Sequence, residues 1–313
     1  MDGMLHGMGA VNVPMLAGSH QQTLKTAIDC IGIGLHSGRR VTMRLAPAAL
    51  DHGIVFRRID LGRDIAAQYA QVVDTRLATV LGDPTDREVR VSTVEHLMAA
   101  LMGCGIDNVL VEVDGPELPA LDGSAGHLVF LIDCAGIAAQ DAPRRVIEVV
   151  RPVRVTEGDA YAELGPATRA RSGLELTLSI DFAAEAIGQQ ELSVRLTPES
   201  FRGELARART FALAEDIAGL RAAGLAQGGS LDNAVVVDAG RVLNPGGLRM
   251  ADEFVRHKLL DAVGDLALAG AALSGRFVAH RSGHGLNNKL LRALMADASA
   301  WRMREAAPVA VAA

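Results

Sequence analysis

The sequence has few aromatic residues and no excess of positive charge. Aromatic residues make up only 3% of the 313 residues, and 37 acidic residues outnumber 31 basic ones. Proteins that bind nucleic acid use aromatic rings to stack on bases and a basic surface to contact phosphates. We therefore expect no nucleic-acid partner. The local basic cluster at 202–209 could still contact phosphates, although exposed salt bridges are an equal alternative for Arg207 and Arg209.

Cysteine is also scarce, and its spacing is wrong for a cross-link or a thiolate site. Cys30, Cys104 and Cys134 form no CxxC pair and are odd in number. Disulfide frameworks use an even set of cysteines, and thiolate zinc sites use closely spaced pairs. We therefore expect each cysteine to pack as a small buried hydrophobic residue in a reducing compartment.

Signals for secretion and for membrane insertion are missing as well. No Lys or Arg precedes Lys25, so the start of the chain lacks the basic region of a signal peptide. Uncharged runs such as 266–275 are too short to span a bilayer. These observations predict a cytoplasmic protein without a transmembrane segment.

The most informative stretch that is present covers residues 254–266. Its pattern predicts an amphipathic helix with three titratable side chains, His257, Asp261 and Asp265, at four-residue steps on one stripe. An imidazole and a carboxylate one turn apart can bind a single metal ion. A simple salt bridge between His257 and Asp261 is the alternative.

A second predicted helix begins near Ser92 and carries Glu95 and His96 in its first turn. The S-x-x-E pattern is typical of a capping box, in which the Glu95 carboxylate would bind the Ser92 amide. The functional alternative is that His96 ligates a metal while Glu95 acts as the base of a hydrolase. The positive end of the helix favours the neutral imidazole that ligation needs.

The two predicted helices begin two similar segments. Each is followed by a strand and then by another helix, and Ser124 follows His96 at almost the same distance as His284 follows His257. We therefore predict an α+β fold of two similar domains, each a sheet layered against a helix pair, with the active site in the cleft between them. The predicted boundaries are a flexible extension at 1–20, domains at 21–140 and 146–304 joined by the polar linker 140–145, and a loose tail at 305–313.

Together these residues support metal-dependent hydrolysis. Two histidines and Asp261 would leave one coordination position open for water, whose proton Glu95 could take. His284 lies between glycines, and Asp265 could hold it cationic, while the Lys258 ammonium could reach a developing oxyanion. The alternatives are a helix-entry role for His284 and a solvated position for Lys258.

Seven motifs in order along the chain closely resemble the UDP-3-O-acyl-N-acetylglucosamine deacetylase family. They are STVEHL (92–97), GIDN (105–108), LDGSA (121–125), ARTF (208–211), GGS (228–230), DEFVRHKLLD (252–261) and SGHGLNNK (282–289). The resemblance implies a zinc hydrolase that removes acetate from a UDP-linked amino sugar carrying a 3-O-hydroxyacyl chain. That reaction is the committed step of lipid A synthesis in Gram-negative bacteria.

The resemblance also implies a role for each site residue. One catalytic Zn²⁺, with Fe²⁺ as the cellular alternative, would be held by His96, His257 and Asp261. Glu95 would be the base, and His284, oriented by Asp265, the cationic acid or stabiliser. The other predicted positions are Lys258 and Thr210 at the water and oxyanion, Phe211 against the sugar, and Ala226, Gly229 and Ser230 near an apolar acyl passage in an insert at 213–237. His36, in a glycine-rich turn, is a further substrate-binding candidate, with an ordinary surface position as its alternative. We expect a monomer.

Two features depart from the family pattern, namely the extension at 1–20 and Leu164, where an aromatic residue that stacks on uracil is expected. Two other functions remain as alternatives. One is a catalytically silent protein that binds a nucleotide sugar or acyl chain. The other is a structural module whose His and Asp residues are ion-paired without metal.

Overall fold

The computed structural model describes residues 19–168 and 173–306. Most of the predicted extension and of the predicted tail therefore lies outside the described residues. Of the extension, Ser19 is buried and His20 begins the first strand. Of the tail, Glu305 ends the last strand.

The first half of the described chain contains ten strands and two helices. A five-stranded sheet in the order β2-β3-β9-β4-β5 forms its main layer, with a second sheet of β6-β7-β8 and the pair β1-β10 beside it. These elements are β1 (His20–Leu24), β2 (Ile28–Ile33), β3 (Arg40–Pro47), β4 (Ile54–Arg58), β5 (Arg63–Ala66), β6 (Val72–Asp74), β7 (Val80–Asp83), β8 (Asp86–Val91), α1 (Glu95–Cys104), β9 (Val109–Val113), α2 (Gly126–Ala135) and β10 (Ile137–Pro143).

The second half repeats this layering with a larger sheet. Strands β12-β13-β19-β11-β20 lie in that order, and β14 and β15 extend the sheet from β19. The elements are β11 (Arg145–Val149), β12 (Val153–Glu157), β13 (Ala160–Gly165), β14 (Leu174–Asp181), β15 (Gln189–Arg195), α3 (Pro198–Ser200), β16 (Phe211–Leu213), α4 (Ala214–Ala222), β17 (Val235–Asp238), β18 (Arg241–Val242), α5 (Glu253–Ala267), β19 (Ala272–His280), α6 (His284–Ala296) and β20 (Trp301–Glu305).

The predicted α+β class and the predicted repeat are confirmed. The order helix, strand, helix occurs as α1-β9-α2 and again as α5-β19-α6. Strand β14 illustrates why the sheets form, because Leu174, Leu176, Leu178 and Ile180 alternate with less buried residues and face the core. The predicted insert at 213–237 contains α4 and most of β17. Strand β17 belongs to a small sheet of β16-β17-β18, and α4 packs against β16 and β17.

The predicted linker at 140–145 is not a loop. Its first residues belong to β10, which pairs antiparallel with β1 through positions such as Ile137 and Leu24, and Arg145 already begins β11. The stretch is polar, but alternate residues of β10 are partly buried, and its pairing with β1 satisfies the backbone. The division into two domains near this segment stays a prediction.

The three cysteines do not share one environment, so the expectation that all are buried is wrong. Cys104 is buried and Cys30 is partly buried, whereas Cys134 is exposed on α2. Burial raises the pKa of the Cys30 and Cys104 thiols to about 11, which keeps both protonated near neutral pH. Within the described ranges, no helix combines the length and the apolar character needed to cross a bilayer.

Helices α1 and α5 pack directly against each other at the centre of the protein, and Gly264 makes that approach possible. A Cβ atom placed on Gly264 would overlap the Glu95 carbonyl oxygen. Because the overlapped oxygen belongs to the backbone of Glu95, a change of side-chain rotamer could not relieve the clash. The backbone of α5 therefore lies against the first turn of α1, which carries Glu95 and His96.

We predict that Gly264→Ala lowers the free energy of unfolding by at least about 1–3 kcal/mol, because overpacking must push the two helices apart. Gly219→Ala is the matched control, since Gly219 also lies inside a helix but has open space around its Cα. That change should be neutral or stabilising by about 0.5–1 kcal/mol, as alanine is the better helix former. Urea unfolding of both variants provides the test, and equal stability of the two would contradict this packing.

Candidate metal centre and active site

Three predicted ligands from the two central helices converge on one point. His96 lies in the first turn of α1, and His257 and Asp261 lie one turn apart on α5. Their ligand atoms all lie within 4.8 Å of one another, and all three residues are buried. Residues separated by about half the chain are therefore neighbours because α1 packs on α5.

The spacing of the three side chains fits a small cation. Asp261 Oδ1 lies 3.3 Å from His257 Nε2 and 3.5 Å from His96 Nε2. Atoms bound about 2.1 Å from a tetrahedral zinc ion lie roughly 3.4 Å apart. Asp261 Oδ1 is also buried without a hydrogen-bond partner among the described residues, which is costly for a carboxylate oxygen. A divalent cation between the three atoms would satisfy it.

The ring of His257 is held ready for ligation by the backbone. Its Nδ1 lies 3.0 Å from the Ala208 carbonyl oxygen, so Nδ1 carries the proton and donates it while Nε2 faces Asp261. Burial lowers the pKa of His257 to about 4 against the attraction of Asp261. The imidazole is neutral near pH 7, which disfavours the simple salt bridge and suits a metal ligand.

The segment that provides this carbonyl is anchored by a buried ion pair. Arg209 Nε lies 2.8 Å from Glu253 Oε1, and the Arg209 backbone amide donates to the same oxygen at 3.0 Å. The sequence suggested an exposed salt bridge or a phosphate contact for Arg209, and the structure shows neither. Arg209 pairs as predicted but in the interior, because Glu253 at the start of α5 has no exposed surface.

The other two ligands are electrostatically coupled. Burial raises the pKa of Asp261, but the neighbouring imidazole of His257 and ammonium of Lys258 outweigh it and hold that pKa well below its usual value. Burial lowers the pKa of His96, yet the Asp261 carboxylate more than offsets this effect and the pKa is raised. The Asp261 carboxylate therefore favours positive charge at the point where a cation would bind.

Glu95 lies next to His96 and does not form the predicted capping box. The Ser92 amide and hydroxyl both donate to the Pro116 carbonyl oxygen, and Glu95 Oε2 instead accepts a hydrogen bond of 2.9 Å from the Thr79 amide. Burial raises the pKa of Glu95, and the nearby His284 and His96 only partly offset this effect. A carboxylate with a raised pKa beside a metal site is suited to accept a proton.

Asp265 and His284 form a second pair one turn further along α5. His284 Nδ1 lies 2.9 Å from Asp265 Oδ2. Burial lowers the pKa of His284, but attraction to Asp265 and the hydrogen bond to it prevail and raise that pKa to about 9. His284 also begins α6, so the helix-entry position and the pairing with Asp265 are both present.

Lys258 joins the cluster and is not on a solvated face. Its Nζ donates to Asp261 Oδ2 at 3.0 Å, and only 23% of its side chain is exposed. Burial lowers the pKa of Lys258, but the Asp261 carboxylate outweighs it and the pKa is raised. A permanent positive charge therefore lies beside the candidate metal ligands.

Phe211 and Thr210 lie at the edge of the cluster. The Phe211 ring packs edge-on against Phe254 and lies 6.3 Å from the ring of His257 and 5.9 Å from Lys258 Nζ. Thr210 lies two residues after Ala208, whose carbonyl holds His257. Its backbone amide donates to the Gly123 carbonyl. The role predicted for the Thr210 side chain stays a prediction.

The remaining predicted substrate residues form a separate group. The turn that contains His36 binds the insert, because the amides of Gln227 and Gly228 donate to the carbonyls of His36 and Leu35. Ala226, Gly229 and Ser230 belong to the same loop. Among the described residues, no hydrogen bond or ion pair joins this group to the metal ligands, so its predicted role in substrate binding is untested. His36 Nδ1 is buried and has no hydrogen-bond partner among residues 19–168 and 173–306.

Leu164, the position that departs from the family pattern, has no exposed surface. It lies in β13 opposite Phe277 and Val153. It is therefore a residue of the sheet core and offers no face on which a base could stack.

A cavity of 430 Å³ opens beside Lys258 and His284, and Thr75, Arg76 and Arg281 also line it. A larger cavity of 820 Å³ lies where α1 and α5 end, near Gly105 and Gly270. It contains none of the predicted site residues, and its Asp107 and Arg144 are paired at 2.7 Å. The smaller cavity is therefore the one next to the chemistry.

Two residues that pattern reading missed complete the site. Thr79 donates from its hydroxyl to Asp265 Oδ1 at 2.6 Å, and Asn287 donates from its amide to Asp265 Oδ2 at 2.9 Å. Asn287 lies inside the SGHGLNNK motif, three residues after His284, so that motif carried a signal. Thr79 lies in a short apolar stretch with no motif around it, and the sequence alone offered no reason to select it.

The arrangement resembles that of a metal-dependent hydrolase: two imidazoles and a carboxylate could hold a metal ion, with the Glu95 carboxylate on one side and the His284 imidazole on the other. The sequence matches the UDP-3-O-acyl N-acetylglycosamine deacetylase family over residues 21–296. The chain belongs to this family.

Three similar proteins, each named UDP-3-O-acyl-N-acetylglucosamine deacetylase, illustrate the relationship. The protein from Acidithiobacillus ferrooxidans is 50% identical over 285 residues, which cover 90% of this chain and 91% of the relative. That from a Shewanella species is 48% identical over 90% of this chain and 92% of the relative. That from Vibrio campbellii is 48% identical over 93% of this chain and 97% of the relative. The family match over residues 21–296 spans both halves of the chain and the positions of the site residues named above.

We predict that Asp261→Asn strongly weakens metal binding, because it removes the only anionic one of the three proposed ligands. The loss should exceed the roughly 10–100-fold that is typical when a residue hydrogen-bonded to a ligand is changed. Asp252→Asn is the matched control, since Asp252 directly precedes the same helix but pairs with Arg256. Metal content after dialysis against a weak chelator, measured by atomic emission, provides the test. Equal metal retention by both variants would rule Asp261 out as a ligand.

Proposed function

We propose that this protein is a zinc-dependent amide hydrolase that removes the N-acetyl group, as acetate, from UDP-3-O-(3-hydroxyacyl)-N-acetylglucosamine. This reaction is the committed step of lipid A biosynthesis. The observation that carries the proposal is the convergence of His96, His257 and Asp261, of which Asp261 Oδ1 is buried and has no hydrogen-bond partner within the described ranges. The family of the chain and the names of its relatives supply the substrate.

The donor set supports zinc as the ion. Two imidazole nitrogens and one carboxylate oxygen, with a fourth position open, are typical of catalytic zinc, and Fe²⁺ is the alternative that we propose for the cell. When bound, the ion supplies Lewis acidity, which lowers the pKa of water and polarises the amide carbonyl. The remaining chemistry belongs to side chains of this protein.

Glu95 accepts the proton of the attacking water. Burial raises its pKa, so the carboxylate is a stronger base than an exposed glutamate. The hydrogen bond from the Thr79 amide fixes Oε2, and Oε1 remains to face the water. The base is therefore both oriented and tuned before substrate binds.

His284 and Lys258 supply positive charge to the reaction. Amide cleavage places negative charge on the carbonyl oxygen and then needs a proton for the leaving amine. The imidazolium of His284 can stabilise the first and donate the second, because Asp265 holds it protonated through Nδ1 and leaves Nε2 to face the substrate. Lys258, three residues before the proposed metal ligand Asp261 on the same helix, adds a second cation.

The substrate would lie across the edge of the cluster. Phe211 would contact the sugar, with Thr210 beside it near the oxyanion. The cavity next to His284 contains Arg76 and Arg281, whose guanidinium groups suit a diphosphate. The acyl chain would follow the insert, where Leu213, Ile217 and Leu220 are only partly buried, towards Ala226, Gly229, Ser230 and His36.

We further propose that the protein acts as a monomer. All ligands and acid–base groups come from one chain, so the site needs no residue from a second copy. The cytoplasmic location stays a prediction.

The direct test is hydrolysis by the purified, metal-analysed protein. Incubation with UDP-3-O-(3-hydroxymyristoyl)-N-acetylglucosamine should release acetate and free amine in equal amounts. Removal of the metal should abolish the release, and one equivalent of zinc should restore it. Binding of the substrate without acetate release would favour a catalytically silent binding protein instead.

We predict that Glu95→Gln lowers kcat by about 10²–10⁴-fold, because the amide cannot accept the proton of water. The metal content should stay at the wild-type value, since Glu95 is not a ligand. Glu215→Gln, an exposed change on α4, should leave kcat unaltered. Near-full activity of Glu95→Gln would remove Glu95 from the role of base.

We predict that activity falls as the pH rises through about 9, because His284 then loses the proton it must donate. A bound divalent cation repels that proton, so the fall should occur at or below this value. The attraction between His284 and Asp265 stabilises the fold below pH 6.5 and is lost over the same rise. In His284→Asn the residual activity should lack this basic limb, and an unchanged limb would assign it to another group such as Lys258.

A further inference from the structure

The Thr79 side chain lies between the two halves of the proposed acid–base machinery. It is buried, with 2% of its surface exposed. Its backbone amide donates to Glu95 Oε2 at 2.9 Å, and its hydroxyl donates to Asp265 Oδ1 at 2.6 Å. One residue therefore holds the proposed base with its backbone and the partner of the proposed acid with its side chain.

We infer that Thr79 is a positioning residue that sets the orientation of the Asp265–His284 pair relative to Glu95. This inference rests on the hydrolase function proposed above. It assigns Thr79 no contact with substrate. Its effect on the reaction passes through Asp265 and then through His284.

The hydrogen bonds of Asp265 explain how this works. Its carboxylate accepts from Thr79 on Oδ1, from Asn287 on Oδ2, and from His284 Nδ1, which lies 2.9 Å from Oδ2 and 3.2 Å from Oδ1. Donors on both oxygens stop the carboxylate plane from rotating. Because the His284 ring follows that plane, the direction of its Nε2 is fixed as well.

The hydroxyl is the part of this set that can be removed without altering shape. Valine has nearly the volume of threonine and the same branched Cβ, so Thr79→Val removes the bond to Asp265 and keeps the amide bond to Glu95. Asp265 Oδ1 then loses its shortest hydrogen bond and keeps only the 3.2 Å contact with His284 Nδ1. The two hydrogen bonds of Oδ2, from Asn287 and His284, remain. The pair is free to rotate away from the geometry that proton transfer requires.

A purely structural role is the alternative, because a buried group that loses its hydrogen-bond partner destabilises a protein. Thr23 provides the matched control. Its buried hydroxyl donates to the Asn108 carbonyl at 2.7 Å and accepts from the Ala48 amide at 3.0 Å, and Thr23 lies on β1, which carries none of the proposed catalytic residues. Thr23→Val should therefore cost at least as much stability without disturbing Asp265.

The experiment compares Thr79→Val, Thr79→Ser and Thr23→Val in zinc-loaded protein. We expect Thr79→Val to lower kcat by about 10–100-fold, the usual cost of a misplaced catalytic group, with KM and metal content close to wild type. Thr79→Ser should recover most of kcat because it restores the hydroxyl, and Thr23→Val should keep full kcat. Wild-type kcat in Thr79→Val, or an equal loss in Thr23→Val, would overturn the inference.

A second readout does not depend on turnover. The Nδ1 proton of His284, observed by NMR in ¹⁵N-histidine-labelled protein, should shift or exchange faster in Thr79→Val and stay unchanged in Thr23→Val. If wild type releases no acetate, the proposed function fails while this measurement still tests the positioning. If Thr79→Val does not fold, the smaller Thr79→Ala carries the same comparison. An unmoved His284 signal in the folded variant would overturn the inference.

Discussion

The close approach of helices α1 and α5 is the constraint on which the site depends. Gly264 lets the backbone of α5 lie against the Glu95 carbonyl, and no larger residue would permit it. The approach puts His96 within reach of His257 and Asp261, and it brings Glu95 towards Asp265 and His284. Neither helix alone carries a complete site, so the chemistry arises from their packing.

The same packing buries an unusual number of ionisable groups. Charges in a protein interior are costly unless they are paired, and here carboxylates and cations alternate along α5 and its neighbours. Lys258 pairs with Asp261, and His284 pairs with Asp265. Among residues 19–168 and 173–306, the Asp261 oxygen between the two imidazoles has no hydrogen-bond partner, and a metal ion would satisfy it. This unsatisfied position is therefore the proposed place of the cofactor.

Much of this could be predicted from the sequence because it is encoded locally. The four-residue spacing of His257, Asp261 and Asp265 follows from helix geometry, and the repeated order of helix, strand and helix follows from hydrophobic patterns. The resemblance to the family then paired His96 with α5. The local pattern at Ser92 favoured a capping box, which does not form because Ser92 and Glu95 have partners in distant segments.

Contacts made by tertiary structure alone were beyond the sequence. Thr79 reaches Asp265 across 186 positions, and nothing in the neighbouring sequence distinguishes it from the other threonines of the chain. The carbonyl of Ala208 fixes the tautomer of His257, yet a backbone carbonyl leaves no mark on residue type. Arg209 illustrates the same limit, since its charge predicted a surface role and Glu253 draws it into the interior.

Anomalous diffraction at the zinc absorption edge, from crystals of the zinc-loaded protein, would locate the metal ion. We expect one strong peak roughly 2.0–2.2 Å from His96 Nε2, His257 Nε2 and an Asp261 oxygen at the same time. A peak bound elsewhere, or no peak at this point in protein that contains stoichiometric zinc, would contradict this expectation.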